Sequence, residues 1–305
     1  MIAKSAPILV TTYTHTGKRY GGDQAMKKRI GKVVAWGSAI FVPAAVIGVN
    51  GYFTVPDSTQ LHTVSGIHRQ CVDYTHSSPL DEQGRFSLLV WNIYKQQRPQ
   101  WDTALNQYHQ PHRLMLLQEA SFGPQLARWI TQASLHYDQA YAFAMQDAVA
   151  GVMNLSKVNP LHSCAYTAVE PYLRLPKSAL YSEYQLSNGQ RLAVVNIHSI
   201  NFTYAMAAYK KQLAALEQAL ARVEGPIILA GDFNTWSQRR LDAVRAMVTR
   251  LSLQEMSYHP DERMTKFGLP LDHVFYRGLS VEKASAIDNG ASDHAAIEAQ
   301  LKVTG

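Results

Sequence analysis

Several short stretches of this 305-residue sequence set carboxylate, amide or imidazole groups directly against apolar runs. Asn92 ends LLVWN, Glu119 ends LMLLQE, His198 ends AVVNIH, Asp232 and Asn234 end IILAGDFN, Asp272 opens LDHVF, and Asp293 and His294 precede AAIEAQL. Taken singly, each has a plain explanation, because polar residues commonly terminate strands by turning into loops. Their recurrence at one kind of position is harder to explain that way. If the apolar runs are neighbouring strands, their ends converge on a single polar cleft.

Such a cleft suits the hydrolysis of phosphate esters. A hard divalent cation prefers oxygen ligands and is often held by one or two carboxylates, which fits Glu119 with Asn92 and Asp293. The cation neutralises charge that develops on phosphate oxygens in the transition state. A water must also lose a proton, and a His oriented by a carboxylate can take that proton or deliver one to the departing group. His294 with Asp272 is the candidate pair. Asp232 is placed to align the attacking water, with Asn234 and His198 donating hydrogen bonds to phosphoryl oxygens.

The elements that must carry these groups are readable as short apolar runs alternating with helical stretches from residue 85 onward. Phe86 to Asn92 and Arg113 to Glu119 read as buried strands, with a helix from Trp101 to His109 between them. A helix over 122–133 and an extended run over 150–156 follow. Asn188-Gly189 between two strand-like runs, 178–186 and 191–198, is a hairpin signal. Residues 204–223 form the longest expected helix, stopped by Gly225-Pro226, and 238–251 another. PIILAGDFN, LDHVFY and HAAIEAQLKV supply the remaining strands. Alternation turns His273 to the face opposite Asp272. Mixed strands with helices spread through the chain indicate an α/β or α+β layered fold.

Charge argues for a division of the chain. The formal charge is +6, but residues 1–70 hold eight Lys or Arg against Asp23 and Asp57, and the remainder balances at 21 against 21. The domain that meets substrate is therefore neutral, and a global pI near 9.2 says nothing about nucleic acid. Residues 1–29 read as a disordered basic tail. Val33 to Val49 holds no charged residue and follows Lys27, Lys28, Arg29 and Lys32. With its flanks, the segment over 30–53 fits a single membrane anchor. The positive-inside rule then puts the N-terminus in the cytoplasm and the domain on the periplasmic side of the inner membrane. A cleaved secretory signal, or a buried helix of a cytoplasmic domain, fits the same residues. Residues 54–84, rich in Ser, Thr, His, Asp and Pro, read as a linker to a domain over 85–305. Cys71 and Cys164 either bridge that linker to the domain in an oxidising compartment or remain two ordinary thiols in a reducing one. Neither has metal-site spacing.

The ordered set WNIYK, LLQEA, VNIHSINF, GDFN, LDHVF and SDH, spread over Trp91 to His294, resembles the endonuclease/exonuclease/phosphatase superfamily. The longer strings VWNIYKQ, LRLPKSAL, VVNIHSINF and LDHVFYRGL resemble its bacterial YafD-like subgroup. The resemblance implies a DNase I-like four-layer sandwich, two mixed β-sheets packed face to face with helices outside. It also implies Mg²⁺, or Mn²⁺, at Asn92, Glu119 and Asp293. His198 would contact phosphate, Asp232 and Asn234 would align the nucleophile and stabilise the oxyanion, and Asp272 would hold His294. Arg174 and Lys177 of LRLPKSAL, with Asn201, are the candidates for substrate binding. Trp236 reads as packing, and Arg239 and Arg240 as exposed at the start of a helix.

Three functions compete. The first is a phosphodiester hydrolase, with nucleic acid as one substrate class. The second is a phosphatase or lipid phosphodiesterase on a small or membrane substrate, which a neutral domain and an anchor favour. The third is a non-catalytic module that binds a phosphate ligand, which would predict a missing catalytic residue, and none is missing. No protein partner is expected.

Overall fold

The computed structural model describes residues 53–304. The expected basic tail and the apolar span at 33–49 lie outside them. Among the described residues, no helix is long and apolar enough to cross a membrane.

Four short strands come first: β1 (Phe53–Thr54), β2 (Gln60–Thr63), β3 (Gly66–Arg69) and β4 (Cys71–Asp73). Then follow β5 (Arg85–Asn92), helix α1 (Trp101–His109), β6 (Leu114–Phe122) and helix α2 (Pro124–Gln132). The middle of the chain is β7 (His136–Met145), β8 (Ala148–Ser156), β9 (His162–Val169), β10 (Pro176–Gln185) and β11 (Arg191–His198). Helix α3 (Met206–Leu220), β12 (Ile227–Asp232) and helix α4 (Gln238–Arg250) follow. The chain closes with β13 (Gln254–Glu255), β14 (Thr265–Lys266), β15 (Leu269–Pro270), β16 (Asp272–Arg277), β17 (Leu279–Ile287) and β18 (Ala296–Val303).

Two mixed sheets and a separate β14–β15 antiparallel pair result. One runs β17-β18-β5-β6-β8-β7-β2-β3 with β1 added to β7, and the other runs β13-β16-β12-β11-β10-β9-β4. Strand parity explains why both are buried on two faces. Leu88 and Val90 of β5 meet Val194, Ile228 and Val274 between the sheets. Leu89 and Trp91, the alternate residues, pack outward with Leu105, Leu126 and Ile130 of α1 and α2. On the other sheet, Val195, Ile197 and Leu229 face Leu213, Leu216, Val244 and Met247 of α3 and α4. Continuous apolar runs are what strands covered on both faces require, and the layers are helix, sheet, sheet, helix.

The sheets are also joined by buried polar groups. The Asn196 amide donates to the Leu117 carbonyl at 3.1 Å and to Asn154 Oδ1 at 3.0 Å, and accepts from Gln118 Nε2 at 2.7 Å. With these partners the cost of burying an amide is met.

The segment expected as a linker belongs to the sheets. β2 pairs with β7, β4 pairs with β9, and Cys71 and Cys164 form a disulfide. Its polar composition misled because these strands are short and bury few side chains. Leu61 and Thr63 of β2 face inward while Gln60 and His62 alternate outward. Strands β7, β9 and β17 likewise escaped sequence reading, having interrupted apolar patterns.

Arg240, expected at the surface, is fully buried. Its guanidinium donates to the carbonyls of Ile200 (2.5 Å), Asn234 (3.1 Å), Asn201 (2.8 Å) and Thr203 (3.0 Å). It lies between the rings of Tyr209, at 4.5 Å, and Trp236, at 4.4 Å. One residue thus ties the loop after β11 to the loop after β12. Replacing Arg240 with Leu leaves buried carbonyls unpaired and is expected to cost about 3 kcal/mol or more in urea unfolding. A loss below about 1 kcal/mol would show that the clamp is dispensable.

Candidate active site

Six of the motif residues meet where β5, β11 and β12 end and β16 begins. Asn92, His198, Asp232 and Asp272 share the parity of the inter-sheet core residues Val90, Val194, Ala230 and Val274, so all four turn toward the space between the sheets. Asp232 and Asp272 are direct partners in the antiparallel β12–β16 pair, and His198 is the parallel partner of Asp232. Gly231 precedes Asp232 at φ 133°, where a side-chain carbon would stand 2.1 Å from the Ile197 carbonyl oxygen. Only glycine lets β12 approach β11 this closely.

Glu119 reaches the same cleft by a different route. Simple alternation would send it to the outer face with Leu117. Instead, the β6–β8 register shifts between Leu117 and Ala120, and Glu119 adopts φ 53°. This bulge re-aims one side chain. Glu119 Oε1 lies 3.6 Å from His198 Nε2.

The last motif is bound to the first. Ser292 Oγ donates to the Asn92 carbonyl at 2.6 Å, and the Trp91 indole donates to the His294 carbonyl at 3.0 Å. His294 Nδ1 donates to Asp272 Oδ2 at 2.7 Å, and its Nε2 stands 4.0 Å from Asp232 Oδ2. Asn92 Nδ2 donates to that same Asp232 oxygen at 3.2 Å. The Asn234 backbone, at φ 49°, turns so that its N–H donates to Asp232 Oδ1 at 2.9 Å. Asn tolerates that left-handed conformation better than most residues.

Electrostatics separate the groups. Burial and then the adjacent Asp272 push the Asp232 carboxyl up to about 7, against the pull of His294. Burial opposes charge on His294, but the Asp272 carboxylate and its hydrogen bond outweigh it and raise the imidazole to about 10. His198 is driven the other way, well below its ordinary value, by burial and by the cations Lys177 and Lys95. A neutral His198 accepts at Nε2 from Lys177 Nζ, 2.9 Å away. His198 was expected to contact phosphate; in the structure its Nε2 meets Lys177 Nζ.

Lys95 was not singled out from sequence. It is ion-paired with Glu119, and its own φ of 52° follows Tyr94 at φ 50°. Successive left-handed residues after a strand carry no strong sequence signal when neither is glycine. Lys95, Glu119, Lys177 and His198 line a pocket of about 40 Å³.

Asn92, Glu119 and Asp293 offer oxygen donors only, as a hard cation requires, and the ammonium on Glu119 shows that this carboxylate draws a cation. A second set of ligand atoms lies in the same cleft: those of Asp232, Asp272 and His294 are within 4.8 Å of one another, and Asp272 Oδ1 is buried without a hydrogen-bond partner. The other two expected substrate residues lie on loops. Arg174 is exposed. Asn201 is held in the loop scaffold, its Oδ1 accepting from the Trp236 indole at 2.9 Å. His273 is structural as expected, buried between Thr235 and Glu255 at 2.8 Å each.

The chain is similar to known proteins in sequence and in fold. The family model for the Endonuclease/Exonuclease/phosphatase family matches residues 89–294. A UPF0294 protein of Vibrio parahaemolyticus is 45% identical over 262 residues, covering 84% of this chain and 93% of the relative. Among solved structures, an endonuclease/exonuclease/phosphatase family protein from Leptotrichia buccalis superposes with a TM-score of 0.55 at 15% identity, covering 71% of this chain and 99% of its own. ANGEL2, described as a 2',3'-cyclic phosphatase, superposes with a TM-score of 0.58 at 14% identity, covering 77% and 98%. The chain belongs to the endonuclease/exonuclease/phosphatase family.

Proposed function

We propose that the chain is a metal-dependent hydrolase of phosphodiester bonds. The observation that carries this reading is the buried His294, locked to Asp272 at 2.7 Å while its other nitrogen faces Asp232 across 4.0 Å. The longer gap has the width of an intervening oxygen. Asp232, with its raised basicity, takes the proton of a water attacking phosphorus. His294 enters as the imidazolium and gives its Nε2 proton to a phosphoryl or departing oxygen, and Asp272 keeps its ring in register. Asn92 Nδ2, on the same Asp232 oxygen, holds that carboxylate in place. Lys177 and Lys95 present positive charge to phosphate oxygens, a task that a fixed ammonium performs as a point charge. Glu119 and Asp293, with Asn92, would hold Mg²⁺ or Mn²⁺, which when bound supplies further neutralisation of phosphate charge.

A second reading, phosphoester chemistry on a lipid or another small substrate with an apolar part, has its own support. The loops beside Lys177 and His198 expose Tyr172, Leu173, Phe202 and Tyr204, and Glu170 Oε1 links them by accepting the N–H groups of Asn201 and Phe202. Residues 71–305 carry no excess of basic charge, so tight nonspecific binding to a nucleic-acid backbone has little electrostatic basis.

Full-length protein with Mn²⁺ or Mg²⁺ is expected to cleave bis-nitrophenyl phosphate. Asp232→Asn and Glu119→Gln should each lower kcat/KM by about 10²-fold to 10⁴-fold with the fold intact by circular dichroism. Inactivity of the folded wild type with both metals would leave only a phosphate-binding module. The pH profile should be a bell: the rate rises through about 7 as Asp232 ionises and falls through about 10 as His294 loses its proton. A rate flat from about pH 6 to about pH 9 would remove Asp232 from the base role. On a panel of plasmid DNA, RNA and phospholipid vesicles, turnover of nucleic acid should be weak and fall with salt. Strong DNA cleavage that persists at high salt would overturn the charge argument.

A further inference from the structure

The free edge of the seven-stranded sheet carries a second cluster of reactive side chains. Strand β4 pairs with β9 in a register that sets Cys71 opposite Cys164 and Asp73 opposite His162. Side chains alternate along a strand, so these four stand together on one face, with Val72 and Ser163 on the other. The two sulfurs are joined. A disulfide needs no imidazole, yet His162 Nε2 lies 3.0 Å from Cys164 Sγ. The other ring nitrogen, Nδ1, is held by Asp73 Oδ1 at 2.6 Å. A carboxylate on one imidazole nitrogen, with the second aimed at a ligand position, is how proteins orient a metal-binding His. Both sulfurs and an imidazole nitrogen lie within 4.8 Å of one another. Nothing in the hydrolytic centre uses any of them.

We propose that reduction of the Cys71–Cys164 disulfide opens this corner into a soft-metal site for Zn²⁺. Its ligands are the two thiolates and His162 Nε2, with water in the fourth position. The disulfide and the metal are alternative fastenings of β4 to β9. Tetrahedral thiolates at about 2.3 Å from Zn²⁺ stand about 3.8 Å apart, a separation that side-chain rotation supplies once the bond is broken. The redox step balances with a dithiol reductant, which delivers two electrons and two protons to the sulfur pair and itself becomes a disulfide. Zn²⁺ then displaces both thiol protons. Cys71 is exposed, so the reductant has access. The donor set differs in kind from Asn92, Glu119 and Asp293, since thiolates select soft metals and carboxylates hard ones.

The test uses Co²⁺ as a spectroscopic stand-in. Full-length protein is reduced with a phosphine, freed of reductant without air and titrated with Co²⁺. The expected result is thiolate-to-cobalt charge-transfer absorption that saturates at one ion per chain and is bleached by Zn²⁺. The hydrolytic centre cannot produce this band, because the chain has only two cysteines. The unreduced protein and Cys164→Ser should lack the band. His162→Ala should weaken Co²⁺ affinity by tenfold or more, and Asp73→Asn by about tenfold. A reduced, folded chain without the band would overturn the proposal, as would full affinity in His162→Ala.

Discussion

Asp232 and Asp272 stand directly opposite each other on adjacent antiparallel strands, both nearly without solvent. Like charges so placed repel, and burial removes the water that would screen them. The pair persists because His294 arrives from the loop before β18 and places an imidazole against Asp272. A buried carboxylate pair sharing one cation is unstable alone and useful chemically, since it leaves Asp232 basic and His294 protonated near neutrality. Much of the surrounding structure can be understood as what keeps these three side chains in contact. The Ser292 bond to Asn92 and the Trp91 bond to His294 carry the loop, and Gly231 allows β12 to lie close on β11.

The loops beyond the strand ends need their own support, because loop backbone between two sheets has no ladder to join. Arg240 supplies it with hydrogen bonds to four carbonyls from the two loops that follow His198 and Asp232. Tyr209 adds a bond from its hydroxyl to the Phe233 carbonyl at 2.7 Å. Glu170 serves the same loop from the other side through the N–H groups of Asn201 and Phe202. The candidate centre therefore rests on a shell of buried charge, each member matched to backbone groups that would otherwise go unpaired.

The opposite half of the cleft has the reverse polarity. Lys95 and Lys177 converge on Glu119 and His198, so two ammonium groups with one carboxylate line this wall, facing the Asp232–Asp272–His294 group. A phosphate ester bridging the walls would meet ammonium groups at its oxygens and the Asp232 carboxylate at the water. That division does not depend on net charge, which explains how a neutral domain can still be suited to an anionic substrate.

Much of this was legible in the sequence because it is local. The apolar runs of β5, β11 and β12 end on the groups they deliver, the Asn188-Gly189 turn sets the β10–β11 hairpin, and α1 keeps the boundaries its pattern predicted. His273 could be turned away from the centre by parity alone. Tertiary structure decided what local patterning cannot encode. The segment at 53–73 reads as a polar linker until the distant strands β7 and β9 accept it, since its short strands bury few side chains and are held by pairing. Glu119 needs a bulge against β8 to face the cleft, although strand alternation sends it outward. Arg240 looks like a surface residue because the carbonyls that satisfy its charge lie up to 40 positions away in the chain. Cys71, Asp73, His162 and Cys164 likewise form a group only through the β4–β9 register. The sequence by itself determined which chemical groups end which strands; which of them share charge and contact was left to pairings made far along the chain.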